Sequence, residues 1–398
     1  MTGTQQLPPT TTARTRARAG AGLLLAGALL TGCGAEPGEI PLSEIRAETP
    51  PATPTPTLAP EPAVAVSAPP DPALAAAASA RHNGLIVGRV FLTSDRTTSA
   101  VFAIAPDGSG AHQLTRPPAQ TRDDHPDWSP DGTTVAFDRA GADSAGRIWT
   151  IGADGENAHQ VGPLCEASAP DCTNEEEVTP AFSPDGKQIA FSRTWGSTDP
   201  TANQTQYSDL YLMSPDGTNA QRLTFLTNDK PYSGLVTDPT WSPDGKQLAF
   251  SYRTSATGQP ANSRALYVVN ADGTGLRRLT PWELRAGDRA SWSPDGTQIV
   301  FTTYPAGGDN TPGGGIYTVH PDGTAIGALT PGPSDVVYGA AAYSPDGTAI
   351  AFTQAPVNGS AELYTMKSDG SNVAPLTNSP DHWESRPNWG TAVGTPRD

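Results

Sequence analysis

Basic residues are scarce in this chain. Its 398 residues hold 25 Lys and Arg against 41 Asp and Glu, a formal charge of −16. Binding a phosphate backbone needs clustered cations, so nucleic acid is excluded as a partner. Adhesion to an anionic membrane by charge alone is excluded with it. Cysteine is nearly absent: Cys33 stands apart, and Cys165 and Cys172 form a C-x6-C pair. No second Cys or His pair completes a zinc pattern around them. The apolar run Ala19–Gly32, "AGAGLLLAGALLTG", is too short to span a bilayer comfortably. Charged residues of either sign make up only 17%, whereas Gly and Pro number 41 each. That balance fits short strands joined by turns better than long helices.

The N-terminus has the order of an export signal. Arg14, Arg16 and Arg18 precede the apolar run, which ends in "LLTGCG". Leu30, Thr31, Gly32 and Cys33 resemble the bacterial lipobox. That resemblance implies cleavage after residue 32 and a diacylglyceryl group on the Cys33 thiol, palmitate being the usual type of chain. Removing the three leader arginines takes the formal charge from −16 to −19. Residues 33–80 then form a Pro/Ala/Thr-rich stalk that buries too little apolar surface to fold. The expected location is extracytoplasmic and membrane-anchored through lipid, at the cell surface or in the periplasm. In such a compartment Cys165 and Cys172 are expected to form a disulfide.

From residue 85 onward the chain repeats about every 50 residues, which calls for a repeat architecture. "WSPDGTTVAF" begins at Trp128, "FSPDGKQIAF" at Phe182, "WSPDGKQLAF" at Trp241, "WSPDGTQIVF" at Trp292 and "YSPDGTAIAF" at Tyr343. A nucleophile needs a base within reach, and five equivalent serines cannot all have one. The structural reading accounts for every letter: Pro presets φ, Asp bonds nearby N–H groups, and Gly supplies the left-handed residue that ends a turn. A second Asp-Gly turn occurs six times, at Asp107, Asp154, Asp216, Asp272, Asp322 and Asp369. Each unit reads as four short strands, a twisted antiparallel blade. The first unit lacks its innermost strand, and "SRPNWG", Ser385 to Gly390, supplies a matching strand at the far end. The expectation is an all-β, six-bladed propeller spanning 81–391, closed by the C-terminal strand completing the N-terminal blade, with a disordered tail at 392–398.

These units resemble the TolB-type (PD40) repeats of the WD40-like propeller family over roughly residues 85–390. The resemblance implies a propeller that binds something, and its stalk stands where TolB has a further α/β domain.

Acids gather just before five of the six innermost strands, in "RDDHPDW", "EEEVTPAF", "VTDPTW", "AGDRASW" and "HWESRPNW", the exception being "VVYGAAAY". The candidate channel-mouth residues are Asp123, Asp124, His125, Glu177, Asp238, Asp288, Arg289, Tyr338, His382, Trp383, Glu384 and Arg386. Such a carboxylate rim suits a hard cation such as a structural Ca2+, or it steers a basic peptide. His125 and His382 flank the closing blade, where they are candidates to meet. No catalytic residue, cofactor or complete metal site is read from the sequence. The favoured function is a monomeric binding or scaffold module for a protein, peptide or glycan. The alternative is a carbohydrate-active or other hydrolase or lyase with its site in the channel mouth.

Overall fold

The computed structural model describes residues 81–393, apart from 142–143, 162–174, 197–205, 227–233, 255–262, 305–313, 332–334, 357–358 and 380–381, together with 72–74 and 76. The leader, most of the stalk, and Cys33, Cys165 and Cys172 lie outside the described residues. No helix among the described residues is long and apolar enough to cross a membrane.

The strands come in sets. The first is β1 (Asn83–Phe91), β2 (Ser99–Ile104) and β3 (His112–Gln113). Five sets of four follow. They are β4 (Thr121–Trp128), β5 (Thr134–Gly141), β6 (Ser144–Gly152) and β7 (His159–Gln160); β8 (Glu176–Phe182), β9 (Ile189–Gly196), β10 (Gln206–Met213) and β11 (Gln221–Arg222); β12 (Gly234–Trp241), β13 (Gln247–Thr254), β14 (Ser263–Asn270) and β15 (Arg277–Arg278); β16 (Ala286–Trp292), β17 (Ile299–Thr303), β18 (Gly315–Val319) and β19 (Gly327–Pro331); β20 (Val336–Tyr343), β21 (Ala349–Pro356), β22 (Glu362–Lys367) and β23 (Ala374–Pro375). The last strand, β24 (Trp383–Thr391), pairs antiparallel with β1, placing Trp389 opposite Ile86 and Trp383 opposite Phe91. Each later set is an antiparallel meander. The set of β24 and β1–β3 joins that of β4–β7 through one parallel bridge, Ser99 to Arg122. The first strands β24, β4, β8, β12, β16 and β20 touch in that order, and β20 touches β24 in turn.

Short-range chemistry builds each hairpin. In all five Ser-Pro-Asp-Gly turns the Ser Oγ donates to the Asp Oδ1 two residues on, at 2.6–2.7 Å. The same Oγ accepts the backbone N–H five residues on, at 2.9–3.0 Å. The glycines take φ of 70–74°, open only to a residue without a Cβ at little cost. Both capacities of each hydroxyl are thus spent inside the turn, and none serves as a nucleophile. In the second turns the Asp Oδ1 accepts the N–H two residues on. In four of the sets a threonine just beyond the outer strand caps the third: Thr115, Thr224, Thr280 and Thr377 accept the N–H groups of Val101, Leu210, Leu266 and Leu363 at 2.9–3.0 Å.

Packing then joins the sets. Phe137, Phe191, Phe250, Phe301 and Phe352, which end the apolar triplets, are wholly buried. Four of them lie against a tyrosine of the neighbouring strand at ring separations of 5.7–5.9 Å, contacts worth about 0.5–1.5 kcal/mol beyond their burial. Each core draws on two consecutive sets; Ala181 and Leu210, for instance, pack with Trp241 and Phe250. No set can cover both of its own faces, so the sets are stable only side by side.

Candidate functional site

Every first strand carries a β-bulge at the same place. Register shifts fall between Asp124 and Asp127, Val178 and Ala181, Thr237 and Thr240, Gly287 and Ser291, and Gly339 and Ala341. On β24 a shift accompanies the Ser385–Asn388 stretch. One residue in each bulge is left-handed: His125, Thr179, Asp238, Asp288, Ala340 and Arg386, with φ of 28–60°. For residues with a Cβ this costs roughly 1–2 kcal/mol apiece. The extra residue also reverses the alternation of side chains upstream of it.

That reversal divides the candidate residues. Positions five before the aromatic share its side and are buried between sheets. Asp123 is fully buried and takes a two-pronged ion pair from Arg139, at 2.6 and 2.8 Å. Glu177 receives Arg193 at 2.9 Å. Its burial, with Glu175 adding and Arg193 only partly opposing, pushes the carboxyl up to about 7. Tyr338 packs on Phe352 in the core, 6.0 Å between rings. Glu384 lies opposite Val90 rather than an arginine. Its Oε2 is buried with no partner among the described residues, and burial, reinforced by Glu362, raises its carboxyl.

The remaining residues form one charged network. The Arg386 guanidinium reaches Asp288 at 3.1 Å, Asp124 at 3.4 Å and Asp238 at 3.5 Å. These carboxylates come from three different first strands. Arg89 on β1 holds the other oxygen of Asp124. His125 Nδ1 lies 2.6 Å from Asp138 Oδ1, and its Nε2 lies 3.9 Å from Asp238. Burial is the largest influence on His125 and opposes its cation, as does Arg386, but Asp124 and Asp138 prevail and raise its pKa. Burial likewise works against Asp124 and Asp288, yet Arg89 holds Asp124, and Arg386 both, below the ordinary carboxylate range. A second bridge lies nearer the aromatics. Arg289 on β16 pairs with Asp127 on β4 and donates to the Pro126 carbonyl. Asn388 on β24 donates to the same carboxylate at 3.0 Å.

The two histidines do not meet. His382 is exposed, with Nδ1 3.3 Å from the Phe91 carbonyl oxygen, while His125 is engaged by Asp138. Trp383 lies under the Arg96 guanidinium, 3.6 Å from its ring centre. No group of three or more His, Cys, Asp or Glu side chains that could hold a metal occurs among the described residues. Within the carboxylate set the central cation is Arg386 itself.

Asp127, Asp138 and Arg89 escaped sequence reasoning, because each gains its role from a strand distant in sequence. The bulge left a readable signal: Pro126, Pro180, Pro239 and Pro387 all stand two residues before an aromatic. Within a sheet, proline is at home in a bulge.

The profile of PD40, the TolB beta propeller domain, matches residues 171–307. The chain is TolB-like: its sheets resemble that propeller domain. The "Protein TolB homolog" of Chlorobium chlorochromatii is 30% identical over 164 residues, 40% of this chain and 30% of that protein. The "Uncharacterized peptidase YuxL" of Bacillus subtilis is 26% identical over 208 residues, 44% of this chain and 29% of that one. The TolB-type chain therefore spans about three-tenths of the length of these curated relatives. The crystal structure of TolB from Acinetobacter baumannii superposes with a TM-score of 0.54 at 18% identity, covering 77% of this chain and 66% of the other. That likeness is one of fold: four-stranded antiparallel sheets in the TolB propeller arrangement.

Proposed function

We propose that this TolB-type propeller is a binding and scaffold module without chemistry of its own, taking a protein, peptide or glycan at the loop end of its central channel. In this reading the sets are six blades, and β24 closes the ring by completing the blade of β1–β3. The contact of β24 with both β20 and β4 supports the closure. The observation that carries the functional reading is Arg386, bound at once to Asp124, Asp238 and Asp288. The acids and bases that could serve catalysis there are committed to one another, and a preorganised, charged surface is what a binding site needs.

In the same proposal residues 1–32 are a leader, Cys33 carries lipid, 33–80 form the stalk, 81–391 the propeller and 392–398 the tail. The protein is then a monomer anchored outside the cytoplasm, with a Cys165–Cys172 disulfide. Cys33→Ser is expected to move it from the detergent phase to the aqueous phase on detergent partitioning. Loss of two mass units on oxidation, regained on reduction, checks the disulfide. A rise in melting temperature with Ca2+ would add a structural ion to the channel mouth.

The deciding experiment presents the soluble domain from residue 81 to envelope extracts and, separately, to glycan and peptide panels. Retention of one specific partner, weakened by added salt, is expected. Turnover of a glycan or peptide would replace the binding reading with the hydrolase or lyase alternative, to which the peptidase name of the Bacillus relative lends some weight.

A further inference from the structure

We propose that the seam where β24 joins the set of β20–β23 is a pH-sensitive closure, held by one proton on the neighbouring glutamates Glu384 and Glu362 and loosened when that proton leaves. Glu384 lies on β24, which pairs with β1 and also touches β20, β21 and β22. Its backbone N–H donates to the Ala361 carbonyl at 2.8 Å. The last strand is thus pinned beside Glu362, the first residue of β22. Glu362 Oε2 accepts the Thr377 hydroxyl at 2.5 Å, and its Oε1 accepts the Ser379 N–H at 2.8 Å. Glu384 is only 7% exposed, and its Oε2 is buried without a hydrogen-bond partner among the described residues.

The repeat supplies its own comparison. The acid five residues before the aromatic meets an arginine in two other sets: Asp123 meets Arg139, and Glu177 meets Arg193. Glu384 lies opposite Val90 instead. The place of Glu362 is taken on β10 by Asp209, which stands opposite Arg193 and holds Arg222 at 2.5 Å. The set after it has Val236 where β24 has Glu384. Glu362 stands opposite Gln354, and Pro375 occupies the place of Arg222. Two acids therefore meet at this seam where each of those arginines is missing. The nearby cations are engaged elsewhere. Arg89 bonds Asp124 and Ser385, Arg386 bonds Asp124, Asp238 and Asp288, and Arg96 lies over the Trp383 ring. His382, exposed, favours the charged form of Glu384, but burial and Glu362 outweigh it.

A protonated carboxyl is neutral and carries an O–H donor. Removing the proton puts a second negative charge into a buried site that already holds one, disfavoured by desolvation and by repulsion together. The Glu384 proton is accordingly held above the ordinary value of 4.5. Its stabilisation is complete below that value and is lost as pH rises through the raised one. The closure depends on the pairing of β24 with β1 and not on the binding reading above.

Hydrogen exchange of the full chain, read peptide by peptide, tests the closure, because exchange reports local opening. Wild type is compared with Glu384→Gln, an uncharged isostere, at the same pH. Near pH 8.5 the wild-type peptide covering 383–391 is expected to exchange about tenfold faster than that of Glu384→Gln, tenfold being the equivalent of one pKa unit. Near pH 5.5 the two should agree. Peptides of β12–β14 should agree at both values. Glu362→Gln is expected to slow the same peptide near pH 8.5, which keeps the test open if Glu384→Gln folds poorly. Equal rates in all three proteins at both pH values, or faster exchange in both variants, would overturn the inference. So would Ca2+ slowing the wild-type peptide near pH 8.5 as far as the substitutions do, since the pair would then belong to a metal ion.

Discussion

Arg289 on β16 and Asp127 on β4 form a buried ion pair between first strands that lie opposite one another in the cyclic order. Both residues are at least nine-tenths buried, and Asn388 of β24 bonds the same carboxylate. Strands of three different sets are tied at one point, so the pair acts on the arrangement of the sets rather than within any one of them.

Arg289→Met should therefore destabilise the propeller by about 3–5 kcal/mol, because it strands a buried carboxylate. Arg289→Met combined with Asp127→Asn should recover much of the loss. Urea unfolding of the two variants and the double mutant measures the coupling. A double mutant as unstable as the sum of the singles would mean that the pair is not coupled.

His125 makes stability depend on pH. Its folded-state pKa is raised, by Asp124 and Asp138 against burial. The stabilisation is thus fully present below the ordinary histidine value near ~6.5 and is lost as pH rises through the raised folded value. His125→Gln should lower the melting temperature more at pH 5.5 than at pH 9. Asp124 and Asp288 work the other way: their pKa values are lowered, so their contribution is present above the ordinary carboxylate range and fades as pH falls. The wild-type curve should accordingly fall off in acid as well.

Ser242 is a turn residue. Its hydroxyl bonds Asp244 at 2.6 Å and receives the Gln247 N–H at 2.9 Å. Ser242→Ala should cost about 1–2 kcal/mol in urea unfolding, since it leaves the half-buried Gln247 N–H and the Asp244 carboxylate without their partner. It should leave partner capture unchanged. A variant that folds as stably as wild type but loses function would restore the reactive-serine reading.

Glu177 and Arg193 are buried together at the edge of β8 and β9. Arg193→Met should cost about 3 kcal/mol near neutral pH, where the unpaired carboxyl must be desolvated or protonated. The loss should shrink toward pH 5, because a protonated Glu177 no longer needs the guanidinium. Melting curves at the two pH values distinguish this from a simple packing defect, which would be independent of pH.

Among the described residues β24 is the last strand, and β1 has no other partner on that edge. Deleting residues 384–398 should lower the melting temperature by about 10 °C or more, by exposing the β1 edge and the core beneath Trp389. A truncated protein that melts with the parent would remove β24 from any role in closing the ring.

Much of this architecture follows from neighbours in sequence. A turn's residues all lie within five positions, so "SPDG" announces its own hydrogen bonds. The alternation of "VAF" or "LYVV" announces which side chains are buried. The fold class and the structural role of the five serines were legible for that reason. The candidate site was legible only in part. Counting alternation along an unbroken strand puts Asp123, Glu177, Tyr338 and Glu384 on the side opposite the aromatic, in one class with His125, Asp238 and Arg386. The bulge at His125, Thr179, Asp238, Asp288, Ala340 and Arg386 reverses that count and turns the first four between the sheets.

By itself, then, the sequence determined the repeat, the turns and the aromatic that anchors each first strand, since these depend on contacts a few residues long. Only the tertiary structure decided which charges meet. Arg386 faces Asp124, Asp238 and Asp288, and Arg289 faces Asp127, because six first strands converge there. Ion pairing depends on distance in space, and separations of some 100 to 260 residues carry no local trace of it.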